Sequence, residues 1–226
     1  IGVTSSYSAF IAALEHIASR LHCIGQQAKR AVTKEPYNTF IMINAHAGVK
    51  TGEDGPTHAD PQALQLLQEN FPKDTLITLT PWEPQEIWPL VVEGLRKRPA
   101  VLCPFVTRPP ETVIDRKKLK IPPAQAAAKG IYPLRSADES KPRHGTIVLQ
   151  GNGVATIFFS EVLGELEKRG LNLSVYYVTS FELFRMLGEE EQERIYPSCL
   201  AMEAMGITDF TLPTMYFWVR SPDGIK

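Results

Sequence analysis

Short blocks of apolar residues alternate along this chain with longer amphipathic blocks. Residues 8–32 place apolar side chains three and four positions apart, the spacing of a helix with one apolar face. Residues 39–45 (TFIMINA) form a nearly all-apolar run, which indicates a strand buried on both faces. The two patterns then repeat, with helices predicted over 61–71 and 81–98 and strands over 74–80 and 100–106. This order predicts a parallel α/β sheet.

Residues 107–143 interrupt the alternation. They are rich in proline and charge and show no sustained period, so we predict a connection between two domains. The α/β pattern then restarts, with strands predicted over 146–151 and 171–178 and helices over 155–170 and 180–187. Two strands are few for an independent sheet. We therefore predict two consecutive parallel-sheet α/β units, an N-terminally incomplete one over 1–106 and a second over 144–226 that is truncated before its domain ends.

The composition is that of a globular protein, and 226 residues suffice for two modest domains. Because the net charge is −1, we expect neither nucleic acid nor an anionic membrane as a partner. Cys23, Cys103 and Cys199 form no C-x-x-C pair, which favours a reducing compartment over disulfides or zinc. No apolar run approaches the ~20 residues that span a bilayer. Since the chain begins at Ile1 without a signal-like segment, we expect a cytoplasmic piece whose true start lies upstream.

The histidine loop, residues 44–61 (NAHAGVKTGEDGPTHADP), follows the predicted strand 39–45. Ligands of parallel sheets gather beyond the carboxyl ends of the strands, so His46 is the first residue at which a site is expected. The three glycines of the loop permit sharp turns, and Asp54 and His58 can converge on one polar ligand with His46 beneath them. A polar connection without function is the alternative. A metal site is disfavoured, because the histidines are twelve residues apart with no third ligand in view.

Two other motifs favour structure over chemistry. The stretch LQGNGVAT (149–156) resembles a phosphate-binding loop but lacks the G-x-G-x-x-G spacing and a following Lys-Ser/Thr pair. We interpret it as a tight turn between a strand and a helix. The run GEEEQER (188–194) is interpreted as the solvated face of a helix.

The histidine loop carries a resemblance to a known family. HAGVKTGEDGPTH resembles the transketolase signature, in which a strand ends in His and GEDGPTH closes on a second His twelve residues later. The Ala-Gly that follows His46 is closer to the related deoxyxylulose-phosphate synthases, which carry Arg at the first His position. SSYSAF (5–10) resembles the YSTF of those synthases, and VTSFELF (178–184) resembles the transketolase C-terminal domain. The resemblance therefore runs through most of the chain.

The resemblance implies a thiamine diphosphate enzyme with three α/β domains. Residues 1–106 would form most of its pyrimidine-binding domain, and residues 144–226 part of its C-terminal domain. The cofactor's diphosphate and its Mg²⁺ or Ca²⁺ ion would be bound by a domain outside this fragment. Such enzymes are homodimers whose cofactor lies between two subunits, so the fragment alone is expected to be inactive.

The family's motifs also imply roles for single residues. Phe10 occupies the aromatic position that contacts the aminopyrimidine ring, although burial in the core explains an aromatic residue there as well. His46 and His58 would hydrogen-bond the substrate and assist proton transfer, and Asp54 would accept a hydrogen bond from a sugar hydroxyl. Arg108 matches the arginine that holds a sugar phosphate, with a plain structural ion pair as the alternative.

The first function hypothesis is a transketolase-like transfer of a two-carbon ketol unit between sugar phosphates. The alternative within the superfamily acts on a 2-oxo acid, as deoxyxylulose-phosphate synthase and the first component of pyruvate dehydrogenase do. His46 favours transketolase, whereas Ala47 and Gly48 favour the synthase. A non-catalytic homologue is the third hypothesis, because Ala13 and His16 replace aromatic residues that transketolases carry.

Overall fold

Two four-stranded sheets, one after the other along the chain, organise the fold. The computed structural model describes residues 1–53, 55–68 and 70–224, without the side chains of residues 11–19 and 21. Within these residues the strands are β1 (Gly2–Tyr7), β2 (Phe40–Ala45), β3 (Leu76–Leu79), β4 (Val101–Pro104), β5 (Ile131–Arg135), β6 (Gly145–Gln150), β7 (Leu173–Val178) and β8 (Ala204–Thr208). The first sheet is parallel, with strand order β1-β2-β4-β3. The second has the order β5-β7-β6-β8, and all its pairings are parallel except that of β5 with β7. The predicted pair of α/β units is confirmed.

The helices follow the strands in the predicted alternation. Among the described residues they are α1 (Ser8–Thr33), α2 (Ala63–Leu67), α3 (Pro84–Lys97), α4 (Asn152–Ile157), α5 (Leu163–Lys168), α6 (Phe181–Arg185), α7 (Glu189–Ile195) and α8 (Ser198–Ala201). A π-helical turn, Phe158–Val162, joins α4 to α5, so the single predicted helix over 155–170 has an irregular centre. Helix α6 begins where Ser180 Oγ accepts a hydrogen bond from the Leu183 amide at 3.1 Å.

Three strands have no counterpart in the sequence prediction. Strand β1 (GVTSSY) is a polar, exposed edge strand, so it lacks the apolar run that marks a buried strand. Strand β5 lies within 107–143, and β8 lies within the last part of the second unit. The second sheet therefore has four strands, where the sequence reveals two.

The segment 107–143, which the sequence predicts as a connection, is joined to the first unit by a buried ion pair. Arg116 Nε donates to Glu83 Oε1 at 2.8 Å, and Arg116 Nη2 donates to Glu86 on helix α3. The Tyr132 hydroxyl of β5 donates to the same Glu86 carboxylate. Because β5 belongs to the second sheet, this network ties the two units together.

One apolar core spans both sheets. Its buried members include Ile77 and Leu79 of β3, Leu149 of β6 and Tyr177 of β7. Beyond the strands, Thr80 N donates to the Thr179 carbonyl at 2.7 Å, and the Tyr177 hydroxyl donates to the Thr80 carbonyl at 2.9 Å. The carboxyl ends of β3 and β7 therefore lie side by side, so loops from both units meet at one edge.

Candidate functional site

His46 is the buried base of the candidate site. It follows the end of β2 directly and is fully buried, with a left-handed backbone φ of 58°. The flanking backbone is fixed, because Ala47 N donates to the Val106 carbonyl at 3.1 Å and Val106 N donates to the Asn44 carbonyl at 2.8 Å. The end of β4 thus holds the start of the histidine loop against the sheet.

Four of the residues predicted from the sequence come together around Tyr7. The ring centroids of Tyr7 and His46 are 4.6 Å apart, and those of Tyr7 and His58 are 5.2 Å apart. Phe10 lies 5.0 Å from His58, and the two histidine rings are 6.0 Å apart. The Arg108 guanidinium lies 5.4 Å from the centre of the Tyr7 ring, within the range of a cation–π contact.

Tyr7 itself is a site residue that the sequence prediction missed. It lies where the edge strand β1 passes into α1, in the SSYSAF segment that was used to place Phe10. Its position next to that motif is the signal that could have found it. Asp54, the remaining predicted site residue, lies outside the described residues.

Exposure increases from the base of the site to its rim. His58 is half-buried, Arg108 is exposed and the Phe10 side chain is 54% exposed. Burial lowers the pKa of His46, with smaller contributions from the charges of Arg108 and His58. His46 is therefore a neutral imidazole near pH 7, which can donate one hydrogen bond and accept another. His58 Nδ1 lies 3.0 Å from Thr57 Oγ1.

A buried carboxylate of the second unit borders the site. Asp209 follows β8 and accepts hydrogen bonds from the Gly153 amide at 2.6 Å and the Val154 amide at 3.1 Å. Burial raises the pKa of Asp209 to about 6. The predicted tight turn is present, with Gly151 at a φ of 104°. The amides that would face a phosphate in a phosphate-binding loop here bind the chain's own carboxylate.

The described residues fit one end of the implied cofactor. An exposed aromatic ring at Phe10, beside Tyr7 and His58, offers a flat surface to a heteroaromatic ring. No cluster of three or more His, Cys, Asp or Glu able to hold a metal ion occurs in the described part of the chain. None of the described helices is both long and apolar enough to cross a membrane.

Known proteins similar to this chain are transketolases. No family model matches the chain. A chloroplastic transketolase from Spinacia oleracea is 29% identical over 164 residues, which are 70% of this chain and 20% of the relative. The chain thus spans about a fifth of the length of that relative, and a transketolase from Aquifex aeolicus is matched over a similar share.

Solved transketolase structures match the fold of nearly the whole chain. A transketolase from Leishmania mexicana gives a TM-score of 0.73 at 17% identity and covers 98% of this chain and 29% of its own. A Pichia stipitis transketolase in complex with sedoheptulose 7-phosphate gives a TM-score of 0.68 at 17% identity. The match covers 99% of this chain and 32% of the Pichia chain. A split-gene transketolase, described as an inactive beta4 tetramer, gives a TM-score of 0.57 at 17% identity. The match covers 91% of this chain and 56% of that chain. The fold is that of transketolases, and the resemblance predicted from the histidine loop is confirmed.

Proposed function

We propose that this chain is part of a thiamine diphosphate-dependent transketolase that transfers a two-carbon ketol unit between sugar phosphates. The observation that carries the proposal is the convergence of His46, His58, Phe10 and Arg108 at the carboxyl edge of the first sheet. The curated relatives are named transketolases, and transketolases are transferases. The Pichia stipitis structure supports sugar phosphates as the substrate class.

The chain's part in cofactor binding is the aromatic rim. Phe10 would lie against the aminopyrimidine ring, and a domain outside these residues would bind the diphosphate through Mg²⁺ or Ca²⁺. When bound, thiamine diphosphate supplies the nucleophilic carbon and electron sink needed to cleave a carbon–carbon bond beside a carbonyl.

The two histidines would handle protons. A neutral His46 at the closed end can hold the substrate carbonyl or a neighbouring hydroxyl by a hydrogen bond. The half-buried His58 would exchange a proton with a substrate oxygen. Asp54 would accept from a sugar hydroxyl.

The exposed Arg108 would bind the sugar phosphate at the mouth of the site. Its guanidinium makes a cation–π contact with Tyr7, and its Cδ lies 3.4 Å from the position of a Cβ built on Gly52. A planar guanidinium held in this way can present two parallel N–H groups to a phosphate.

We also propose a homodimer, because the described residues supply only part of a cofactor site. Cys23, Cys103 and Cys199 form no C-x-x-C pair, and this spacing supports a cytoplasmic location. Light scattering on the complete protein tests the assembly, and a monomer at every concentration would contradict it.

Gly48, one residue of the Ala47-Gly48 pair that favours a deoxyxylulose-phosphate synthase, has a structural explanation. A Cβ built on Gly48 would lie 2.5 Å from Asp209 Cβ, so packing alone requires glycine there. Gly48 therefore no longer argues for a 2-oxo acid substrate, which leaves Ala47 as the residue of the pair that favours the synthase.

The proposed function is tested by supplying the complete protein with thiamine diphosphate and Mg²⁺. Ketol transfer from a ketose phosphate to an aldose phosphate is the expected result. Release of carbon dioxide from a 2-oxo acid, without ketol transfer, would favour the alternative. No reaction with either donor would favour a non-catalytic homologue.

A further inference from the structure

We propose that Asp209, a residue of the second unit, is a positioning residue that holds the histidine loop and thereby the ring of His46. The inference deepens the proposed function, and its kinetic test rests on that function. Asp209 meets the histidine loop at Gly48, so its effect would be exerted through that residue.

Asp209 is fixed in the second unit at three points. It is 1% exposed, its amide donates to the Gln150 carbonyl at 2.9 Å, and its two carboxylate oxygens accept from the Gly153 and Val154 amides. A side chain held by both oxygens and by its own backbone has one orientation. It is therefore a rigid surface for whatever packs on it.

The histidine loop packs on this surface two residues after His46. Gly48 has a φ of 78°, and a Cβ built on it would lie 2.5 Å from Asp209 Cβ and 3.1 Å from Asp209 Oδ2. Real Cβ atoms do not come that close, so the Gly48 backbone sits directly against the aspartate. The next residue, Phe210, packs its ring edge-to-face on Phe105 at 5.8 Å. The start of the loop is thus held between the end of β4 and residues 209–210.

The far side of the loop is held by a second contact. Lys50 Nζ lies 2.5 Å from Glu111 Oε1, and Thr107 Oγ1 donates to the same oxygen at 2.9 Å. His46, the strained residue of the loop, lies between the end of β2 and the contacts at Gly48 and Lys50. His46 has a left-handed backbone, which a residue with a side chain keeps only where its surroundings fix it. Asp209 supplies that restraint on the side facing the second unit.

The experiment uses the complete enzyme with Asp209→Ala, Asp209→Asn and Gly48→Ala. Turnover and KM, the melting temperature and the titration of the His46 imidazole by NMR are measured for each. Asp138→Ala is the matched control, because Asp138 also accepts from a backbone amide (Ser140 N, 3.0 Å) but lies in an exposed loop.

We expect Asp209→Ala and Gly48→Ala to lower kcat roughly 100-fold, the usual scale for a small misplacement of a reacting group. KM for the donor should change less, and the His46 pKa should rise toward its ordinary value as water reaches the ring. Asp209→Asn keeps the side-chain volume but loses one amide contact, so its effects should be smaller and in the same direction. The control should match the wild type.

The proposal is overturned if the Asp209 variants melt earlier while kcat per folded molecule and the His46 titration stay unchanged. If Asp209→Ala does not fold, Asp209→Asn and Gly48→Ala decide by the same criteria. If the wild type transfers no ketol unit, the proposed function fails, and the His46 titration alone supports or overturns the positioning role.

Discussion

The residues of the candidate site differ in how much the fold depends on them. His46 is enclosed and holds a strained backbone, whereas His58 is half-buried in a 3₁₀ turn, Gly55–His58, that has no buried residue. Arg108 is exposed. Substitutions at His58 and Arg108 can therefore separate chemistry from stability.

Replacing His58 with alanine should lower turnover by roughly 10²–10⁴-fold, the scale for losing an acid–base group. The melting temperature should change little, because the side chain contributes little to the core. Steady-state kinetics of the complete enzyme and calorimetric melting of the same samples check this. A lower melting temperature with normal turnover per folded molecule would show that the loop is structural.

Replacing Arg108 with lysine should raise KM for a phosphorylated donor about tenfold, because one charge-assisted hydrogen bond is worth about 1.5 kcal/mol. Lysine keeps the charge but cannot form two parallel hydrogen bonds. The unphosphorylated ketose is the control, and its KM should be nearly unchanged. Equal increases for both donors would remove Arg108 from phosphate binding.

Which site residues the sequence could predict depends on whether their neighbours are local. His46 and His58 lie within one motif, and Arg108 follows a recognisable strand. Asp209 reaches Gly48 across more than 150 positions, and no pattern within either segment records that contact. Contacts of this kind arise from packing between units and are visible only in three dimensions.

At the scale of elements, apolar runs predicted every described strand except three edge strands, β1, β5 and β8. Strands β3 and β4 are fully buried and β2 is at least half-buried throughout, so their composition marks them. Strand β1 is exposed along most of its length, so selection for apolar residues is absent there. Strand β5 contains Pro133, which is tolerated because β5 is an edge strand.

The contact between β8 and α4 should make stability depend on pH. Burial raises the pKa of Asp209 from 3.8 to about 6, against the charge of Lys50 and two backbone amides. The folded state therefore binds the proton of the Asp209 carboxyl group more tightly than the unfolded chain does. The contribution of this protonation to the free energy of unfolding is complete below pH 3.8 and is lost as the pH rises through 6. The shift corresponds to about 3 kcal/mol at most.

The free energy of unfolding of the wild type, relative to Asp209→Asn, should therefore fall between pH 4 and pH 7. Urea unfolding of both proteins across this range measures the difference. A constant difference would show that the carboxyl group titrates with an ordinary pKa.

The buried ion pair between α3 and the segment 107–143 should be costly to break. Arg116→Ala leaves Glu83 and Glu86 buried without their cation, and we expect a loss of about 3–5 kcal/mol. The exposed pair of Arg135 with Glu167, 2.8 Å apart, provides the control. Arg135→Ala should cost about 1 kcal/mol or less in the same denaturant assay, and similar losses for both variants would contradict the structural role of Arg116.

At the scale of the whole molecule, the proposed function gives this chain one end of a cofactor site. The aromatic rim lies on the first unit, the second unit supports the histidine loop, and the described residues contain no cluster of metal ligands. The sequence predicted two units but not that they share a core, because their boundary is formed by β3, β6 and β7 together.

Residues 1–226 alone should bind thiamine diphosphate weakly, because the diphosphate and its cation require contacts from outside these residues. Titration calorimetry with and without Mg²⁺ measures this. Tight binding that depends on magnesium would overturn the assignment of the two units to the pyrimidine-binding and C-terminal domains.

The shared core has a consequence for synthesis on the ribosome. Ile77 and Leu79 are buried partly by Val175 and Tyr177, which emerge about 100 residues later. At roughly 5–20 residues per second, this surface stays open to solvent for about 5–20 s in each nascent chain. A chain that ends before β7 therefore cannot complete this core, and the apolar side chains of β3 stay open to solvent until β7 has been made.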